Sequence, residues 1–261
     1  MSVSAGALGL LLIAYFANGT IRLAKAEVKP ILICAVFNIV GWHLFTAHGV
    51  SLMPAGRASI IAFTMPVWAA LLSNLLLGEP MTRYKVFGLI LGLAGLAILI
   101  GPDLLVMKAA PLGGLFMLGA ALSWAIGTVL FKKFRWTSPV ATLVGWQLFV
   151  GAVVITVGAI FLEAVPDLTE LSRRAVFALA YLFLLPMIFC QWAYFKVVQL
   201  FPAAIAAIGT LAVPVIGVYS SAIVLGEAVG WNELAALVLI CCALASVLVI
   251  PALKNHNAKH S

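Results

Sequence analysis

The chain has 261 residues, 65% of them hydrophobic and 9% charged, with a mean hydropathy of +1.20. That leaves far too little polar surface to coat a water-soluble globule, so the composition predicts a polytopic membrane protein. The net charge of +7 would elsewhere suggest nucleic acid. Here the Lys and Arg residues stand in short clusters between apolar runs, the pattern of topology signals, and nucleic acid is not expected as a partner.

Nine apolar runs are long enough to be helices: Val3 to Asn18, Pro30 to Val50, Ala58 to Leu77, Tyr84 to Ile100, Gly113 to Phe131, Val140 to Leu162, Ala175 to Val198, Ala203 to Leu225 and Leu234 to Ile250. A hydrocarbon core of about 30 Å needs roughly 20 helical residues, and a β-barrel would show alternation instead of continuous runs. The connections are short and carry breakers: Gly78-Glu79-Pro80, Gly101-Pro102-Asp103, Pro111, Thr137-Ser138-Pro139 and the polar segment from Pro166 to Arg174. Cys34, Cys190, Cys241 and Cys242 lie inside apolar runs without CxxC spacing. They are expected as buried small hydrophobes, with no disulfide framework and no metal site.

Sorting the loops by charge places eleven of the fifteen Lys and Arg residues on one side, among them Arg22, Lys25, Arg83, Lys85, Lys132, Lys133 and Lys254. The positive-inside rule makes that side cytoplasmic, with the C-terminus inside. A stretch from Leu52 to Glu79 recurs from Leu200 to Glu227 without a gap. Pro54 and Pro202, Pro66 and Pro214, and Leu77-Gly78-Glu79 and Leu225-Gly226-Glu227 fall in one register. The chain therefore reads as a duplication. On this reading residues 1–105 form a first repeat, 111–251 a second and 252–261 a cytoplasmic tail. The first helix of the first copy would fall upstream of Met1, leaving nine visible helices of a five-plus-five architecture. Five helices per copy invert the second copy relative to the first.

Pro66 and Pro214 interrupt their helices near the middle and are expected to free the carbonyls of Ala62 and Thr210. Such bends either improve packing alone or curve the helix around a cavity. His43 stands near the centre of its run, beside Trp42 and within a turn of Asn38 and Thr46. Polar residues at this depth face the bundle interior and often mark a pathway, although a lone histidine is also a common hydrogen-bonded core residue. Gln191 and Tyr194 occupy the repeat-related positions of His43 and Thr46. Trp192 reads as an interfacial anchor before it reads as a binding residue. Glu79 and Glu227 follow glycines and read as helix ends at the two membrane faces. Gly88, Gly92 and Gly95 form a small-residue face for packing within the bundle, with a homodimer as the alternative. No HExxH, GxSxG or nucleotide-binding glycine loop is present, so an enzyme is not expected and no cofactor is implied.

Taken together, Pro54-Ala55-Gly56, Pro66, Leu77-Gly78-Glu79, the Gly88, Gly92 and Gly95 helix ending at Gly101-Pro102, and Ala120-Ala121-Leu122-Ser123-Trp124-Ala125 resemble the EamA family of bacterial permeases in the drug/metabolite transporter superfamily. The resemblance covers essentially the whole chain. It implies an all-α inner-membrane secondary carrier, an exporter of small organic metabolites or amphipathic compounds working by alternating access. Its substrate cavity would be lined from Asn38, Trp42, His43, Thr46, Pro66, Trp124, Gln191, Tyr194, Thr210 and Pro214. No Lys or Arg is placed at the midplane to fix an anion, so phosphorylated sugars are poor candidates. The contrasting expectation is a non-transporting membrane protein that packs with a partner.

Overall fold

The computed structural model describes residues 2–53, 58, 61–100, 111–162, 177, 180–181, 184–225 and 230–249, and every regular element among them is helical. In chain order these are α1 (Ser2–Asn18), α2 (Lys25–Leu52), α3 (Met65–Leu77), α4 (Arg83–Ile100), α5 (Pro111–Lys133) and α6 (Val140–Leu162). There follow α7, described over 184–200, α8 in two segments (Ala203–Gly209 and Ala212–Leu225), and α9 (Trp231–Leu244, continued by Ala245–Val249). The nine expected spans fall on these nine helices among the described residues. The expected start of the seventh span at Ala175 and the residues Glu227 and Pro54 to Gly56 lie outside the described set.

One boundary differs clearly. α2 starts at Lys25, ahead of the expected Pro30, and runs through that proline. In the first turn the Glu27 carboxylate reaches back to accept the Ala24 backbone N–H at 3.3 Å, which holds the extra turn in place. At 28 residues α2 is roughly 42 Å long, more than a hydrocarbon core requires.

Besides a π-segment at Ala245–Val249 that ends α9, three departures from regular α geometry shape the bundle interior. α2 contains a π-turn at Val36–Gly41, where the Trp42 N–H reaches the Phe37 carbonyl, and α7 contains one at Leu185–Cys190, where the Gln191 N–H reaches the Pro186 carbonyl. Both immediately precede residues singled out in the sequence. The third departure is a paired break. A turn at Phe63–Thr64 precedes α3, and a turn at Thr210–Leu211 divides α8, each just ahead of a mid-span proline. Thr64 Oγ1 donates to the Ile61 carbonyl and Thr210 Oγ1 to the Ala207 carbonyl, both at 2.7 Å, so the two breaks use the same side-chain device. The Thr210 carbonyl is not free, as the sequence suggested, because the chain tightens and the Val213 N–H donates to it at 3.0 Å.

α1 to α4 pack mainly on α5 to α9 and not on one another: α1 lies along α6, α2 along α5, α3 against α5 and the first segment of α8, and α4 along α9. Leu10, Ile31, Ile39, Phe131, Leu143, Leu148 and Phe195 fill one core between α1, α2, α5, α6 and α7. Ala70, Leu89, Ile208, Leu211 and Val247 fill a second. The glycine stripe of α4 is used inside the bundle. A Cβ on Gly88 would meet Val247, Ser246 and Ala243 of α9, and one on Gly95 would meet Ile240, Ala236 and Leu239. Gly78 ends α3 at φ +66°, a left-handed cap that a side chain would strain.

The outer surface is apolar. Phe16 and Phe161 are 81% exposed and Ile223 is 84% exposed, a surface suited to lipid tails and not to water. Of the cysteines only Cys34 is buried, while Cys190, Cys241 and Cys242 face outward, because an outer wall bathed in lipid accepts an apolar thiol as readily as the core does. The starts of α2, α4, α6 and α8 and the ends of α3, α5 and α7 share one end of the bundle. Lys25, Arg83, Lys85, Lys132, Lys133 and Arg135 mark this basic face.

Candidate functional site

Along α2 beyond the π-turn, Trp42, Thr46 and Val50 recur every four residues and so form one stripe. They wall a cavity of about 390 Å³ with Ala58, Ala62, Phe63 and Met65 from the break ahead of α3, Met117 from α5, and Thr210 and Val213 from the break in α8. That volume suits a small organic molecule. None of these lining side chains is charged. The polar groups carried by the lining residues are the Trp42 indole N–H and two hydroxyls; Thr46 Oγ1, a shielded atom, has no hydrogen-bond partner among the described residues, whereas the Thr210 hydroxyl is taken by its own helix.

Trp42 continues the wall towards the middle of the bundle. Its ring packs on Trp124 of α5 at 5.2 Å between centroids, and Trp124 packs in turn on Tyr194 of α7 at 5.3 Å and Phe195 at 6.3 Å. The Trp124 indole N–H donates to the Tyr194 hydroxyl at 3.2 Å, and Thr128 Oγ1 lies 3.0 Å from the same oxygen. Three helices thus meet in one aromatic cluster in which the polar tips of Trp124 and Tyr194 satisfy each other. Flat, polarisable faces beside an uncharged cavity favour aromatic or amphipathic solutes through stacking and apolar burial. Among the described residues the wall offers no point charge for an anion.

The structure brings Trp42, Thr46 and Thr210 onto the cavity and Trp124 and Tyr194 into the adjoining wall. Pro66 is buried next to the lining residue Met65, and Pro214 follows the lining residue Val213. Asn38, His43 and Gln191 are placed elsewhere. Asn38 is four residues before Trp42 but sits within the π-turn, whose extra residue rotates it off the Trp42 stripe. Its Nδ2 donates to Gln147 Oε1 of α6 at 3.1 Å, with both residues fully buried and Gly127 leaving the room its amide occupies. His43 is half-buried on the next face of α2. Its Nδ1 lies 2.7 Å from the Ile39 carbonyl, a contact that requires Nδ1 to carry the proton and leaves Nε2 of the neutral ring as an acceptor. Gln191 is buried, and its Oε1 has no partner among the described residues.

Several contributors escaped the sequence reading. Phe63, Met65, Met117 and Val213 look like any other apolar residues until the helix breaks turn them to one space. Ser123 enters the sequence reading only within the Ala120 to Ala125 motif and Gln147 only as a residue near mid-helix, yet each is a polar residue inside a long apolar run and therefore needs a partner. Ser123 Oγ donates to the Phe37 carbonyl at 2.8 Å within the π-turn and fixes α2 against α5.

Comparison with known proteins agrees with this architecture. The sequence model described as the EamA-like transporter family matches residues 1–101 and 111–249. The chain is 30% identical to "Uncharacterized transporter YoaV" of Bacillus subtilis over 92% of its own length and 82% of the relative's. It is 28% identical to a "Probable amino-acid metabolite efflux pump" of Salmonella typhimurium over 74% of its own length and 67% of the relative's. A solved crystal structure at 20% identity superposes with a TM-score of 0.79, covering 95% of this chain and 86% of that one, a likeness of fold alone. With the family match spanning both halves of an all-helical bundle of apolar surface, the chain belongs to the EamA-like transporter family and is a membrane transporter of the drug/metabolite transporter superfamily.

Proposed function

We propose that the protein is a secondary exporter of small, uncharged or amphipathic organic metabolites, amino acids with apolar or aromatic side chains among them. The observation that carries this reading is the cavity, with no charged side chain among the described residues that line it, joined to the Trp42, Trp124 and Tyr194 cluster and set between helices of both halves. Substrate stacks on Trp42 and hydrogen-bonds the unpartnered Thr46 hydroxyl, with the wall of Trp124 and Tyr194 held rigid by its internal hydrogen bonds. The relative named an amino-acid metabolite efflux pump supports the direction and the substrate class. Transport proceeds by alternating access, two inverted repeats (1–105 and 111–251) rocking about the cavity. The pairing of α1 with α6, α3 with α8 and α4 with α9, together with the matched π-turns and helix breaks, supports a duplicated unit. The chain resides in the inner membrane with its basic face and C-terminus cytoplasmic.

The test pairs metabolite profiling of overproducing cells with counterflow of labelled phenylalanine, leucine and a neutral amphipathic amide in proteoliposomes. Trp42→Ala removes an aromatic wall worth about 1.4 kcal/mol beyond its apolar area, so the apparent KM should rise about tenfold. Counterflow of no solute, with an unchanged metabolite profile, would refute the assignment.

A further inference from the structure

Two carboxylates at the basic face join the halves. Glu27, at the start of α2, is 3% exposed, and its Oε1 accepts hydrogen bonds from the Thr137 backbone N–H, the Thr137 hydroxyl at 3.0 Å and the Ser138 N–H at 3.0 Å. Its Oε2 accepts from the Ser138 hydroxyl. These partners all lie in the connection between α5 and α6. Glu79, just past the end of α3, uses Oε1 to accept the Ala203 N–H that opens α8, at 3.0 Å. Its Oε2 stands 3.6 Å from Lys85 Nζ, an ion pair with both side chains largely shielded. Each acid belongs to the first half, and apart from Ala24 and Lys85 each of these partners belongs to the second.

Between these contacts and the cavity, Ala69 of α3, Ala125 of α5 and Ala207 of α8 pack together, each no more than 2% exposed. The seam itself is made of methyl groups, with Trp68 and Leu72 of α3 packed against it. The cavity lies on the far side of this seam from the basic face, reached by α2 residues up to Val50 and by Met117 near the start of α5. The polar bonds at the rim are of the kind that water replaces at modest net cost when the halves part, unlike apolar interdigitation.

We propose that Glu27 and Glu79 are the latches that close the basic face, with the alanine seam as the seal, and that the structure is the state shut on that side. The inference rests on the alternating-access reading. It assigns these residues a positioning role, holding one half against the other without touching substrate.

The test uses the full chain in proteoliposomes with no substrate. The four native cysteines are replaced by alanine or serine, and Ala207→Cys reports access from each face to a membrane-impermeant maleimide. In the latched protein, labelling from the basic face should be slow. Glu79→Gln and Glu27→Gln should each speed it about tenfold, a shift of about 1.4 kcal/mol in the closed-to-open equilibrium, while the melting temperature in detergent stays within a few degrees of the parent. Unchanged labelling in both variants overturns the proposal. Equal acceleration from both faces with a lowered melting temperature also overturns it, because that is loosened packing. If one variant does not insert, the other decides. The two readings separate cleanly: sided labelling in a protein that moves no solute keeps the latch and removes the transport assignment, and solute transport with unaltered labelling does the reverse.

Discussion

Asn38 and Gln147 give the sharpest separation between a binding role and a structural one. Both side chains are fully buried, one hydrogen bond of 3.1 Å links them, and Asn38 Oδ1 and Gln147 Nε2 have no partner among the described residues. Removing one member orphans the other's amide. The single replacements Asn38→Leu and Gln147→Met should therefore each destabilise the bundle by about 1.5 kcal/mol, combining a lost bond with an unmet polar group. The double replacement removes both polar groups together and should cost about 1.5 kcal/mol in all, well short of the additive sum. The coupling of about 1.5 kcal/mol sits at the upper end of interhelical hydrogen bonds measured in membranes. Reversible unfolding in mixed micelles, followed by tryptophan fluorescence, supplies the cycle. Transport by the double variant should retain the parent's KM, since neither residue reaches the cavity. Additive destabilisation, or a KM raised severalfold in every variant carrying Asn38→Leu, would refute the assignment of this pair to packing.

Three further outcomes are expected. A reporter fused after Lys254 should report cytoplasm and one near Asp167 the opposite side, because eleven of the fifteen Lys and Arg residues fall on the assigned inner side; reversal at both sites removes the orientation. Pro66→Ala and Pro214→Ala should slow transport severalfold while changing stability by less than about 1 kcal/mol, since the Thr64 and Thr210 hydroxyls already bind carbonyls at the breaks; parallel loss of folded protein and activity would return the prolines to packing. His43→Gln should leave any pH-gradient dependence of uptake intact, because His43 lies off the cavity lining with its Nδ1 bonded to the Ile39 carbonyl of its own helix. A gradient drive that vanishes in that variant would make His43 the proton carrier.

The sequence by itself determined the solvent, the helices and their order. Hydrophobic runs of about twenty residues admit few alternatives in lipid, where every backbone N–H and C=O must be paired within its own segment. The aromatic members of the site were legible too: Trp42, Trp124 and Tyr194 stand out in apolar runs and do meet in space. Tertiary structure decided which polar residues face the cavity. Asn38, Trp42 and Thr46 share one face of an ideal helix, and a six-residue π-turn separates the first from the other two. The π-turn seats α2 against Ser123 and Gln147, partners 86 and 109 residues away in the chain. For the same reason nothing in the sequence singled out Glu27. Its partners at Thr137 and Ser138 lie 110 and 111 residues away, and only the packed bundle brings them within hydrogen-bonding distance.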